Sequence, residues 1–168
     1  MKHEIDLMKW NRKEHYEFFT QFEEPFFGIT VTVDCTLAYR NAKEREASFF
    51  LFYLYRALKA ANSIEPFRYR IIDKKVYVFD QVHASPTIDR PDGTFGFAYL
   101  DYHEEEPLFY QIARKVIAEV RQSKGLHPAV SGENVIHFSA MPRLDFTSLS
   151  HARSYSSLIA ARKYLLEG

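Results

Sequence analysis

The sequence predicts an α+β fold: a two-layer sandwich in which a mixed or antiparallel sheet packs against helices. Three observations carry this. Residues 48–62 and 107–124 hold apolar side chains at helical spacing over several turns. Short β-branched or alternating runs surround them, and two pairs of these runs are joined by polar turns. Helices and strands do not alternate regularly, which argues against a parallel βαβ array.

Taken in order, residues 10–22 predict an amphipathic helix. Phe18, Phe19 and Phe22 gather on one side, Arg12, Lys13, Glu14 and Glu17 supply charge, and Pro25 follows as a stop. Residues 27–33 alternate and are β-branched, the pattern of a strand. Asp34 and Thr36 are capping residues for a short helix over 37–43. The helix at 48–62 is apolar around much of its circumference, so it is expected to be buried against a sheet. Residues 67–72 and 76–79 flank Asp73, Lys74 and Lys75 as a hairpin. Residues 84–88 and 94–101 form two more strands around the Arg90-Pro-Asp-Gly93 turn. The helix at 107–124 starts at Pro107, a first-turn proline, and stops at Gly125. Residues 135–140 read as a strand and residues 157–167 as a final amphipathic helix after a polar loop.

Composition narrows the function. A chain of 168 residues with a 46% hydrophobic fraction is one globular domain with a real core. Lys plus Arg and Asp plus Glu stand at 22 each, so there is no basic footprint for nucleic acid. Cys35 is the single cysteine, which excludes an internal disulfide framework. The seven histidines fall in no metal-ligand spacing, so no metal is expected. The charged start and the lack of a long apolar run give the expectation of a cytoplasmic protein without a signal peptide or membrane span.

Candidate site residues each read two ways. Ser148 is either a hydroxyl donor to a developing oxyanion or a loop serine satisfying nearby backbone. Arg12 is a surface charge or half of an ion pair. Alternation places Phe95 and Phe97 on one face of their strand, as core or as pocket. His151 lies nearest Ser148 in sequence, but Ser148, His151 and Asp145 have no Gly-x-Ser-x-Gly elbow around them and are not a hydrolase triad.

From about Asp6 to Tyr155 the ordered motifs resemble the chloramphenicol O-acetyltransferases. Trp10-Asn-Arg-Lys-Glu-His-Tyr-Glu-Phe-Phe19 resembles that family's opening motif. Phe67-Arg-Tyr-Arg70, Val76-Tyr-Val-Phe-Asp80, Gly93-Thr-Phe95, residues 134–139 and Phe146-Thr-Ser148 follow in the family's order. The resemblance implies an α+β sandwich and a homotrimer with active sites between subunits, acting on an antibiotic with acetyl-CoA as cosubstrate. It implies that Ser148 stabilises the oxyanion and that Arg12 pairs with the aspartate of the catalytic motif. It implies that Phe19, Phe27, Thr87, Phe95 and Phe97 line the antibiotic pocket.

The departures are specific. The family's catalytic base comes from a His-His-x-x-x-Asp-Gly motif, which these 168 residues do not contain. Phe19 stands where the family often has a tyrosine, and Arg143-Leu144 where it often has a tryptophan. The expectation is therefore an incomplete acetyltransferase-like domain over 1–156 with an atypical tail over 157–168, C-terminally truncated and impaired in catalysis. A frameshift near Ser157 would account for the tail, since codons for it can be read as a family-like Cys-Pro-Lys-Ile-Ser-Phe-Gly in another frame. The alternative is a non-catalytic remnant that binds a small ligand or oligomerises.

Overall fold

The computed structural model describes residues 1–126, 132–142, 144 and 146–149. Among them are four helices, α1 (Lys13–Phe19), α2 (Thr36–Glu44), α3 (Phe49–Ser63) and α4 (Glu106–Gln122). Six strands accompany them: β1 (Lys2–Glu4), β2 (Tyr69–Ile72), β3 (Lys75–Phe79), β4 (His83–Asp89), β5 (Phe95–Phe97) and β6 (Val135–Phe138). The strands form two three-stranded sheets, β1-β3-β2 and β5-β4-β6. The first is antiparallel; in the second, β4 pairs antiparallel with β5 and parallel with β6. The α+β expectation holds.

Helix α3 is buried because its apolar residues recur around most of its circumference. Leu51, Leu54, Tyr55 and Leu58 pack with Ala84 and Ile88 of β4, with Ala98 and Leu100, and with Phe109, Ala113 and Val120 of α4. Leu54, Leu58 and Ala84 are wholly inaccessible, and burial of each leucine side chain contributes roughly 1.5–3 kcal/mol. A smaller cluster of Ala61, Phe79 and Val82 ties the first sheet to the end of α3. Asn62 closes this junction, its amide donating to the Val82 carbonyl at 2.9 Å and its oxygen accepting the Val82 N–H at 2.8 Å.

The turns follow local chemistry. Asp73 and Lys74 both take positive φ, 50° and 64°, so the β2–β3 connection is a two-residue turn of the kind that matches strand twist. Lys75, expected in the turn, is the first residue of β3 and pairs with Ile72. Gly93 has φ 83° and lets the 90–94 loop close, with the Arg90 N–H on the Thr94 carbonyl at 2.9 Å. The expected helix over 10–22 is regular only from Lys13 to Phe19. Asp34 does act at the start of α2, its carboxylate accepting the Thr36 N–H at 2.9 Å.

The strand expected at 27–33 is not one: among the described residues it belongs to neither sheet and makes no backbone hydrogen bond. Its alternation is that of a half-buried strand, yet Phe27, Ile29, Val31 and Val33 are 68–89% exposed. Strand propensity without a neighbour to complete the ladder does not make a strand. The expected strand at 94–101 is regular only over β5; beyond it, paired hydrogen bonds between Ala84 and Leu100 continue the contact with β4. The tail over 150–168, including His151 and the expected final helix, lies outside the described residues, as do Arg143 and Asp145.

Candidate active site

The β4–β5 register sets Thr87 opposite Phe97 and Asp89 opposite Phe95. Side chains alternate along a strand, so these four share one sheet face while Ile88 and Ala98 turn into the core. On the other side of β4, Ser85 pairs with His137, and the Thr87 and Ser139 hydroxyls approach to 3.4 Å. The Phe95 and Phe97 rings stand edge to face at 5.6 Å. The result is a strip carrying the Thr87 and Ser139 hydroxyls, bordered by two partly exposed aromatic rings, with Ser85 buried beside it at 2% exposure.

Arg90 holds this rim. It is 9% exposed and folds under the β4–β5 turn. Its Nε donates to the Val120 carbonyl at 3.0 Å and its Nη1 to the Phe95 carbonyl at 2.9 Å. Its Nη2 donates to Ser123 Oγ at 3.1 Å and to the Gly125 carbonyl at 2.6 Å. A cation thus adds a donor at the negative C-terminal end of α4, where the Val120 carbonyl also accepts from Ser123 Oγ at 2.9 Å and from the Ser123 N–H at 3.2 Å. Gly96 makes room for it: a Cβ there would lie 2.4 Å from Arg90 Nη2.

The other expected site residues lie elsewhere. Arg12 is exposed at the N-cap of α1, away from β4 and β5. That helix is tied down by Trp10, whose ring meets Tyr69 at 5.6 Å, and by Tyr16, whose hydroxyl donates to the Lys74 carbonyl at 3.0 Å. Phe19 stands 51% exposed in a ring cluster with Phe18 and Phe22. Phe27 is 89% exposed. Ser148 is exposed in irregular chain beyond β6. Thr87, Phe95 and Phe97 are thus brought together; Arg12, Phe19, Phe27 and Ser148 stand on other segments.

Two histidines have defined roles. His83 Nδ1 accepts the Tyr102 N–H at 3.0 Å, so its ring proton sits on Nε2 and the ring is a donor there rather than a base. Burial holds its pKa below the ordinary 6.5, with Asp101 pulling the other way. His3 Nε2 is engaged 3.0 Å from Asp80 Oδ1. Among the described residues no group of three His, Cys, Asp or Glu could hold a metal, and no helix is long and apolar enough to cross a membrane.

The family model described as chloramphenicol acetyltransferase matches residues 1–158. The chain belongs to the chloramphenicol acetyltransferase family. It is 26% identical over 145 residues to the chloramphenicol acetyltransferase of Klebsiella sp, covering 86% of this chain and 66% of that relative. It is 25% identical over 171 residues to chloramphenicol acetyltransferase 3 of Escherichia coli, covering 98% and 80% of the two chains. A solved chloramphenicol acetyltransferase structure superimposes with a TM-score of 0.85 at 37% identity, over 92% of this chain and 76% of that one. The chain therefore spans just under two thirds of the length of the first of these relatives. Membership accounts for the order of motifs from Trp10 to Ser148. Sequence reading did not find Arg90 or Ser139: Arg90 is visible only as the residue before a Pro-Asp-Gly turn, and nothing in that signal says its side chain turns inward.

Proposed function

We propose that this chain carries the acyl-acceptor side of a chloramphenicol acetyltransferase site. The supporting observation is the convergence of Thr87, Phe95 and Phe97 on one sheet face within a chain that matches the family from residue 1 to 158. In the family reaction an acceptor hydroxyl loses its proton to a histidine and attacks the thioester carbonyl of acetyl-CoA. The oxyanion collapses, the C–S bond breaks, and the thiol leaves with a proton. Ser148 is assigned to the oxyanion, Arg12 to supporting the catalytic motif, and Phe19, Phe27, Thr87, Phe95 and Phe97 to the antibiotic. The assembly proposed is a cytoplasmic homotrimer, which would bring residues from neighbouring subunits to one site.

The polypeptide of these 168 residues has no His-His-x-x-x-Asp-Gly segment. Loss of a general base costs about 10²–10⁴ in rate, so acetyl transfer is expected to be very slow or absent. A thiol-release assay with acetyl-CoA and chloramphenicol tests this; robust turnover by the purified polypeptide overturns the impairment. The second reading is a non-catalytic binding module, and the meeting of Thr87, Phe95 and Phe97 on one sheet face is compatible with it as well. Calorimetry separates them: binding of chloramphenicol without coenzyme A supports the module, and binding of both supports an impaired enzyme.

A further inference from the structure

We propose that Nδ1 of His83 is a two-position switch, which straps the 100–104 segment to β4 when the ring is neutral and releases it when the ring is protonated. Two groups of that segment compete for the one ring nitrogen: the Tyr102 N–H at 3.0 Å and Asp101 Oδ1 at 3.4 Å. A neutral ring with its proton on Nε2 accepts the first and offers nothing to the second. A doubly protonated ring reverses both roles, because Nδ1–H is a donor with no lone pair left. Asp101, whose side chain is more than half exposed and able to follow the ring, becomes its partner. The Tyr102 N–H then has no acceptor, since among the described residues it makes no other hydrogen bond.

The strap lies between two anchors. Upstream, Leu100 and Ala84 exchange both backbone hydrogen bonds, at 2.9 and 3.0 Å. Downstream, the buried Tyr102 ring stacks on Tyr55 of α3 at 6.2 Å, and the Tyr55 hydroxyl donates to the Glu104 carbonyl. Helix α4 begins at Glu106, so loss of the His83–Tyr102 bond frees the chain between β4 and the head of α4. The ring lines an open cavity with Met1, Lys2, Asp80, Gln81 and Asn134, which gives protons a route to it. Of the charges around it, Asp101 favours the proton, whereas His103 and the Met1 ammonium of β1 oppose it, as burial does most strongly. Lys2 is paired with Glu133, and Asp80 with His3 and the Met1 ammonium. Tyr99, its ring 5.6 Å from the imidazole, stays neutral until far higher pH. The midpoint therefore falls below 6.5, with the segment strapped at neutral pH and released in mild acid. His83 opens β4 and Thr87 lies toward its far end, so the device rests on no part of the acetyl-transfer reading.

The test is nitrogen-15 NMR on the full chain between about pH 8 and about pH 5, the range in which histidine titrates. Imidazole shifts should show the Nε2–H tautomer above the midpoint. As the ring charges, the Tyr102 amide should lose roughly tenfold or more of its exchange protection, corrected for the intrinsic pH dependence of exchange, while Leu100 keeps its own. His83→Asn, whose side-chain oxygen accepts the Tyr102 N–H at every pH, should hold that protection constant. Asp101→Asn should lower the midpoint and His103→Gln should raise it, each by up to about one unit, and the loss of Tyr102 protection should move with the midpoint in both. Asp101 is exposed, so its variant reads the switch even where His83→Asn does not fold. Four results overturn the proposal: an Nδ1–H tautomer at neutral pH, Tyr102 protection unchanged through the His83 titration, an equal acid loss in His83→Asn, or global unfolding before the ring charges.

Discussion

Arg90→Ala is expected to destabilise the domain by about 3–5 kcal/mol. The guanidinium makes four side-chain hydrogen bonds, at 3.0, 2.9, 3.1 and 2.6 Å. Hydrogen bonds to charged groups contribute about 1.5–3 kcal/mol each, and desolvation of the buried cation offsets part of that sum. Truncation also leaves the carbonyls of Phe95 and Gly125 short of a donor, while Val120 keeps those of Ser123. Against a total of about 5–15 kcal/mol, such a loss is large. Gly96→Ala is the complementary change. Its Cβ would meet Arg90 Nη2 at 2.4 Å, Cζ at 2.9 Å and Val120 Cγ1 at 2.9 Å, and the guanidinium, though at the end of a long side chain, is pinned by its partners. About 2–3 kcal/mol is expected for Gly96→Ala alone and about 1 kcal/mol or less when Arg90 is already alanine, a coupling of the size seen for contacting residues. Urea titration followed by far-UV circular dichroism measures all four states of the cycle. Equal costs for Gly96→Ala in both backgrounds, or a loss under about 1 kcal/mol for Arg90→Ala, would refute the reasoning.

Other outcomes are expected. Lys74→Gly should stabilise by about 0.5–1 kcal/mol in the same titration, because Lys74 sits at φ 64° and glycine adopts that conformation without strain. Phe109→Ala should cost about 3–5 kcal/mol, since the ring is 1% exposed at the centre of the main core. His83 has a folded-state pKa depressed below 6.5, so the unfolded chain takes up the proton first. Its contribution is present above 6.5 and is lost as pH falls from 6.5 through the folded value; His83→Asn should flatten that part of a stability-against-pH curve. Tyr110, whose pKa burial and its hydrogen bond to Glu106 push to about 12, should be missing from a spectrophotometric tyrosine titration at pH 10–11, and Glu106→Gln should bring it back toward 10.

Periodicity made α3 and α4 legible, because each buries a full stripe and helical spacing is visible over many residues. The β2–β3 hairpin was legible from its polar turn, and the β4–β5 pair from Pro91-Asp92-Gly93. Strand β1, Lys2-His3-Glu4, was not: three consecutive polar residues have no strand pattern, and only pairing with β3 makes them one. The reverse error occurred at 27–33, where composition signals a strand but cannot say whether a neighbour exists. At the site, alternation correctly put Phe95 and Phe97 side by side, and the resemblance added Thr87. Arg90 was hidden because its partners are backbone carbonyls some thirty residues away, and main-chain acceptors leave no mark in a sequence.

The parallel pairing of β4 with β6 has a consequence for the order in which this molecule matures. Thr87 and Ser139 are 52 residues apart in the chain, with all of α4 threaded between them. During synthesis, α3 and the hairpin can dock as soon as they emerge, whereas one flank of β4 stays bare until residue 138 clears the ribosome. The flank of β4 completed last is the one that carries the Thr87–Ser139 contact and the buried Val135, so a nascent chain stalled before residue 138 would lack both.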